Sequence, residues 1–397
     1  METSISIPVE EYSQRVTKLL TKIHSQDLSG VVLFDNYYIL YYTGFAFVPT
    51  ERPIAFVLNS KGERAMFVPR LEVEHAESHS IIQRVDHYLE YPYHPHPMDL
   101  LKKMLIDMGI NEDIGVDHDG YPWILGYRGP DLSSLMEIKT HKITGFVEDQ
   151  MMIKSGAEIK LIRESVKWGH LAHVLLQRYT QAGATETEVS QRASHEANLI
   201  MLDTIGPIYR AQSPFSEGAG AGYRGQIGRN AAIPHSLANN IIFQSGDVLV
   251  TGAGAPVWGY NSELERTMII GQPSDDQKRM FDHMVALQDT AFSVLQPGAR
   301  CSDVDRAVRA YYEKHDLMAY WKHHVGHAIG LRYHEAPFLD VGDETLIQAG
   351  MVFTIEPGLY KPELGGFRHS DTVLINEEGN EILTYYPRDL DNLTIPA

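Results

Sequence analysis

The sequence predicts an α+β protein of two domains, residues 1–150 and 151–397. Three observations carry this expectation. Short apolar runs alternate with helical stretches through the first part of the chain, the pattern of an α/β layer. Two long segments of helical periodicity follow the boundary. Beyond them, the polar residues able to do chemistry fall in strand-like runs, where alternate residues share a face.

In the first part, GVVLF, PIAFVL, RAMFVP and IIQRV read as strands, and MDLLKKMLIDMG as an amphipathic helix ending at Gly109. The boundary lies within TGFVEDQMMIKSGAE, Thr144 to Glu158. EIKLIRESVKWGHLAHVLLQRYTQAG and TETEVSQRASHEANLIML then place apolar residues at three- and four-residue spacing. Thr185 followed by Glu188 is a capping-box signature for the second helix. The glycine-dense stretch from Ser213 to Asn230 reads as a mobile or close-packed loop lining a cleft.

Composition limits the function classes. A formal net charge of −18 argues against nucleic-acid binding, which needs basic patches to neutralise phosphates. It modestly favours cationic small molecules through the summed field. No window approaches 18 uninterrupted apolar residues, so no membrane association is expected. METSISIPVEEYSQR lacks the basic-then-apolar pattern of a secretory signal, and a cytoplasmic location is expected. The single cysteine, Cys301, excludes an internal disulfide framework and reads as a packing or helix-entry residue.

Chemistry concentrates after Gly246, in GDVLVTGAGAPVWGYNSELERT. Glu263 and Glu265 are two apart, so on a strand they share a face while Arg266 points away. Two acids on a buried face are costly unless they meet water, a metal or a cationic ligand. His235, in NAAIPHSLANN, is of the type suited to proton transfer near neutral pH.

With VGHAIGLRYHEAP, MVFTIEPGLY and GGFRHSDTVLI, this segment resembles the pita-bread hydrolases: methionine aminopeptidase, aminopeptidase P, prolidase and creatinase. MMIKSGAEIKLIRES is similar to the helix that opens their catalytic domain, and GVVLFDNYYILYYTGF to their N-terminal domain. The resemblance implies a C-terminal pita-bread catalytic domain and a smaller N-terminal creatinase/prolidase-like α/β domain. It also puts five metal-ligand positions at Gly252, Glu263, His327, Glu356 and Ser370. Gly252 and Ser370 have lost the coordinating carboxylate, and Glu263 replaces an aspartate. His369, one position out of register, would face the other side of its strand.

Within that superfamily ELERT and PGARCSDV resemble creatinase, whose His235 counterpart sits at the same offset of eleven residues before the Gly-Asp pair. LRYHEAP is closer to a dipeptidase, and Pro49-Thr50-Glu51 before Arg52-Pro53 lack creatinase's substrate-contacting phenylalanine. Metallopeptidases usually carry threonine at the position of Glu265. The creatinase likeness implies a metal-independent hydrolase cleaving a linear or cyclic C–N bond in a small nitrogen-rich amino-acid derivative. His235 would be general acid/base, Glu265 and Glu356 would grip the substrate, and His327 would complete the catalytic set. Glu263, His334 and Arg52 would bind substrate, Arg52 from the partner of a homodimer. His323 and His324 are expected to pack or support. No cofactor is expected.

Two alternatives stand beside this reading. An Xaa-Pro dipeptidase or aminopeptidase would hold one divalent ion (Mn, Fe, Co or Zn) on Glu263, His327 and Glu356. A non-catalytic pita-bread module would bind peptides or partner proteins.

Overall fold

The computed structural model describes residues 5–397. The chain folds as two compact units, Ile7–Met151 and Met152–Ala397, with Ile5 and Ser6 belonging to the second.

In the first unit the apolar runs form strands β1 (Gly30–Leu33), β2 (Ala55–Asn59), β3 (Arg64–Pro69), β4 (Arg84–Tyr88), β5 (Ile114–Val116) and β6 (Thr140–Lys142). They make one mixed sheet of order β4-β3-β2-β1-β5-β6. The helices are α1 (Val9–Ser25), α2 (Asn36–Thr43), α3 (Val73–Glu77), α4 (Pro97–Asp107), α5 (Leu132–Met136) and α6 (Thr144–Met152). One face of the sheet buries Val32, Phe67 and Ile114 against Leu101 and Leu105 of α4. β4 starts three residues later than IIQRV suggests. Ile82 N–H closes a turn onto the His79 carbonyl, so ladder pairing with β3 begins at Arg84.

The second unit opens with α7 (Gly156–Tyr179) and α8 (Glu186–Ile205). A full capping box starts α7, Ser155 and Glu158 each bonding the other's backbone N–H. At α8 only half of the expected box forms: Thr185 Oγ1 accepts from Glu188 N at 3.3 Å. The Glu188 carboxylate turns outward to Arg192, 3.6 Å away. Helices α9 (Asp275–Val294) and α10 (Cys301–Lys314) follow later in the chain, with Cys301 buried at the start of α10.

The strands of this unit are β7 (Gly220–Gly222), β8 (Val248–Val250), β9 (Gly252–Gly254), β10 (Leu264–Glu265), β11 (Thr267–Ile270), β12 (Gly326–Ala328) and β13 (Glu335–Leu339). They continue with β14 (Val352–Ile355), β15 (Gly358–Lys361), β16 (Gly365–Arg368), β17 (Ser370–Asn376), β18 (Gly379–Ile382) and β19 (Thr394–Ile395). The main sheet is antiparallel, ordered β13-β12-β14-β17-β10-β9-β7, with β18 paired to β17. Helices α7 and α8 lie on its β7–β9 end. Gly169 permits this: a Cβ there would stand 3.1 Å from the α-carbon of Gly254.

As the two-residue period requires, Arg266 leaves the acidic face of its strand. It is fully buried, bonding Asp371 Oδ1 at 2.8 Å and the carbonyls of Ser370 (3.0 Å), Pro387 (2.8 Å) and Tyr386 (3.1 Å). Asp371 also accepts from Thr384 Oγ1 and Gln288 Nε2. A buried ion pair with its remaining donors and acceptors satisfied in this way is tolerated in a core. Among the described residues no helix is long and apolar enough to cross a membrane.

Candidate active site

Strand order gathers the motifs. In the run β12-β14-β17-β10-β9, His327 lies on β12, Glu356 directly follows β14, Ser370 opens β17, and Glu263 and Glu265 flank Leu264 at β10. Gly252 begins β9. Register pairs Glu265 with Ser370 and Leu264 with Ala253. The five positions are thus neighbours in space though spread over more than a hundred residues of sequence.

Glu263, His327 and Glu356 each bring one donor atom within 4.8 Å of the others. His327 Nδ1 lies 3.0 Å from the Ala328 carbonyl, a bond that requires the proton on Nδ1. Its buried Nε2 makes no well-directed hydrogen bond and sits 3.2 Å from Glu356 Oε1. A neutral imidazole would there face a carboxylate lone pair to lone pair. Either a proton on Nε2 or a cation between the groups resolves the conflict. Burial alone would lower the His327 pKa, but the Glu356 and Glu263 carboxylates beside it raise it to about 9. Burial opposes ionisation of Glu356 as well, yet His327 and Arg368 hold its carboxyl well below the usual range. Glu263 is pushed up to about 7 by burial and then by the Glu356 and Glu265 charges. Ser370 Oγ donates to Glu263 Oε1 at 2.7 Å, so the serine in a ligand position serves the neighbouring acid.

Glu265 has two protein cations of its own. Arg368, 3% exposed, donates from Nε to Oε2 and from Nη2 to Oε1 (2.8 Å). Arg224 Nη2 reaches Oε1 at 3.0 Å. Arg368 also bonds Tyr360 Oη at 3.0 Å and lies 3.7 Å from Glu356 Oε2. Both carboxylates expected to grip a substrate are therefore already beside a protein guanidinium.

The His334 ring stacks on His327 with centroids 3.8 Å apart. Burial, then the His327 charge, lowers its pKa to about 4. His235 stands exposed on the turn after the short helix Gly228–Ala232, near enough to His334 for its charge to oppose protonation there. His323 Nε2 bonds Tyr360 Oη at 2.7 Å, and His324 lies against Phe338. His369 faces away, its Nδ1 accepting from Thr267 N at 3.1 Å. Arg52 belongs to the other unit, where Glu90 engages it at 2.7 and 3.1 Å and Glu51 at 2.6 Å.

Beside the acids opens a cavity of about 370 Å³, floored by Gly252 and Gly222 and walled by Glu263, Glu265, Arg224 and His334. It is the size of a dipeptide or a smaller amino-acid derivative. A Cβ on Gly252 would meet only Glu265 Oε1, at 3.7 Å. Packing does not demand glycine there, so its missing side chain adds to the cavity.

Sequence reasoning missed Arg368 and Arg224. Arg368 carried a usable signal, standing two residues before Ser370 and so on its face. Arg224, in the glycine-dense loop, carried none. The expectation of no cofactor is not supported: the donor set of Glu263, His327 and Glu356 fits one divalent ion.

The sequence profile of Metallopeptidase family M24 matches residues 160–377, and that of the Creatinase/Prolidase N-terminal domain matches residues 15–129. An Xaa-Pro dipeptidase of Pyrococcus horikoshii is 28% identical over 383 residues, covering 95% of this chain and 99% of its own. Dipeptidase PepE from Mycobacterium ulcerans superposes with a TM-score of 0.82 at 25% identity, covering 99% of this chain and 100% of its own. The prolidase from P. horikoshii OT3 gives a TM-score of 0.79 at 26% identity, with 95% and 99% covered. These relatives favour the peptidase reading of the sequence over the metal-independent one. With the profile spanning more than half of its length, the chain belongs to metallopeptidase family M24 and is a hydrolase of C–N bonds within the pita-bread superfamily.

Proposed function

We propose that the chain hydrolyses a C–N bond in an amino-acid derivative of dipeptide size or smaller, at a centre that takes at most one divalent ion. The observation that carries this is the Arg368 guanidinium lodged between Glu265 and Glu356, in a site where Gly252 and Ser370 supply no ligand. Without an ion, three carboxylates (Glu263, Glu265, Glu356) face three protein cations (Arg368, Arg224 and protonated His327). One entering ion replaces the His327 proton, which leaves no surplus negative charge to attract a second.

The remaining donors fit one ion. Held by Glu263, His327 and Glu356, a divalent metal would supply Lewis acidity and a more acidic bound water. Without an ion, Glu263, its pKa pushed up to about 7, is poised to take a proton from the attacking water and return it to the departing nitrogen. His235, exposed and near enough to His334 for their charges to interact, would be the second acid/base group, protonating the leaving group. Neutral His334 donates a hydrogen bond toward negative charge developing on the carbonyl oxygen.

Two substrate classes follow from this one centre. The relatives, an Xaa-Pro dipeptidase and a prolidase by name, support Xaa-Pro dipeptides, which this centre would cleave with an ion on its three remaining donors. The internal charge balance backs a small nitrogen-rich amide or amidine cleaved without one. Metal analysis of protein purified without chelators, with hydrolysis of Xaa-Pro dipeptides and of small linear and cyclic amides measured with and without EDTA, separates them. Two equivalents of metal per chain would sink the reduced-centre proposal.

A further inference from the structure

The glycine-dense loop holds a guanidinium that enters the charge balance above through one nitrogen and is given no contact with substrate there. Arg224 lines the cavity with its side chain 53% exposed. Its Nη2 is anchored on Glu265 at 3.0 Å, with Gln226 at 3.4 Å. Its Nη1 and Nε bond no protein atom among the described residues. Arg368 alone already gives Glu265 a bidentate partner, so neutralising that carboxylate does not require Arg224.

The backbone under Arg224 is held in a costly shape. Its φ is +50°, a region that residues other than glycine rarely adopt and that persists only where surroundings impose it. The next residue, Gly225, has φ +73°, and a Cβ there would fall 2.0 Å from the Leu237 carbonyl oxygen. The clamp is Glu186, 2% exposed at the start of α8. Its Oε1 accepts from Gly225 N, and its Oε2 accepts from Asn239 N at 3.1 Å and Ile241 N at 3.5 Å. One buried carboxylate thus staples the turn bearing Arg224 to the segment just beyond His235. The guanidinium is presented on a fixed platform, half-exposed and lining the cavity.

We propose that Arg224 binds the carboxylate of a zwitterionic substrate whose cationic or N–H-bearing part lies against Glu263, and that Glu186 positions Arg224 for this. This assignment rests on the cavity being the hydrolytic site. It narrows the substrate to molecules carrying a free carboxylate within the span of a cavity of about 370 Å³ from the scissile nitrogen. A planar fork on a carboxylate gives two parallel charge-assisted bonds, which fixes orientation as well as affinity.

The test is calorimetric binding of two acid/neutral pairs to the full chain: glycyl-proline beside glycyl-prolinamide, and creatine beside creatine ethyl ester. At least one acid is expected to bind roughly 10–100-fold more tightly than its neutral partner. Arg224→Met should abolish that preference, Arg224→Lys should restore part of it, and Glu186→Ala should reduce it while far-UV circular dichroism stays that of the parent. Preference surviving in Arg224→Met, no preference in the parent, or no binding of any acid overturns the assignment. Binding is read apart from turnover. An acid that binds through Arg224 but is never cleaved refutes the hydrolytic reading and leaves the carboxylate site standing.

Discussion

Replacing Arg368 by methionine isolates the charge balance on which the reduced centre depends. The side chain is 3% exposed, makes two bonds to Glu265 and one to Tyr360 Oη, and stands 3.7 Å from Glu356. Methionine fills most of the volume and supplies no charge. Glu265 would keep only half-exposed Arg224, and Glu356 only His327. Removing one partner of a buried pair costs about 3–5 kcal/mol, since the other charge stays buried. With a urea m-value of roughly 2–3 kcal/mol/M for a unit of this size, the midpoint should fall by about 1–2 M. Trp168, Trp258 and Trp321 all lie in the C-terminal unit and report its unfolding by fluorescence. Adding Glu265→Leu removes the stranded carboxylate and should recover most of the loss, because a well-packed apolar pair can match a buried ion pair. If Arg368→Met alone stays within about 1 kcal/mol of the parent, or the double variant is no better than the single, the guanidinium is not the counter-charge of these acids.

Gly252→Asp should raise Mn²⁺ affinity by on the order of tenfold in titration calorimetry, because the position has room for a side chain and affinity follows ligand charge; unchanged affinity would mean that the carboxylate does not reach the donor set. His235→Ala should lower kcat by roughly 10²–10⁴-fold with little change in KM, and near-normal turnover would move proton transfer to Glu263. Burial and then the Asp343 charge push the Cys301 thiol up to about 12. Its thiolate fraction at pH 8 is then roughly a thousandfold below that of a free thiol, and fast stoichiometric reaction of native protein with Ellman's reagent at that pH would contradict this.

Local pattern made much of this legible. Helical periodicity locates α7 and α8, and period two correctly separates Glu263 and Glu265, which face the cavity, from Arg266, which does not. The ligand positions could be read because each sits in a short motif whose strand carries it to the same patch. What could not be read is pairing across the sheet. That Arg368 reaches back to Glu265 depends on Glu265 lying opposite Ser370, a register set by residues more than a hundred positions apart. The left-handed turn at Arg224 was hidden for another reason. It is imposed by Glu186, whose place at a helix start gives no sign that its carboxylate serves a distant loop.

The buried Arg266–Asp371 pair has a consequence for how such a protein changes over evolutionary time. The bonds that lock β10 to β17 and to the segment near Tyr386 lie on the reverse of the strand from the reactive groups. Adhesion and chemistry are thereby assigned to opposite sides of one short ribbon. Ligands such as those absent at Gly252 and Ser370 can be exchanged on the reactive side while the fastening behind it stays intact. The sheet serves as a chassis on which new reactions can be tried without first risking the fold.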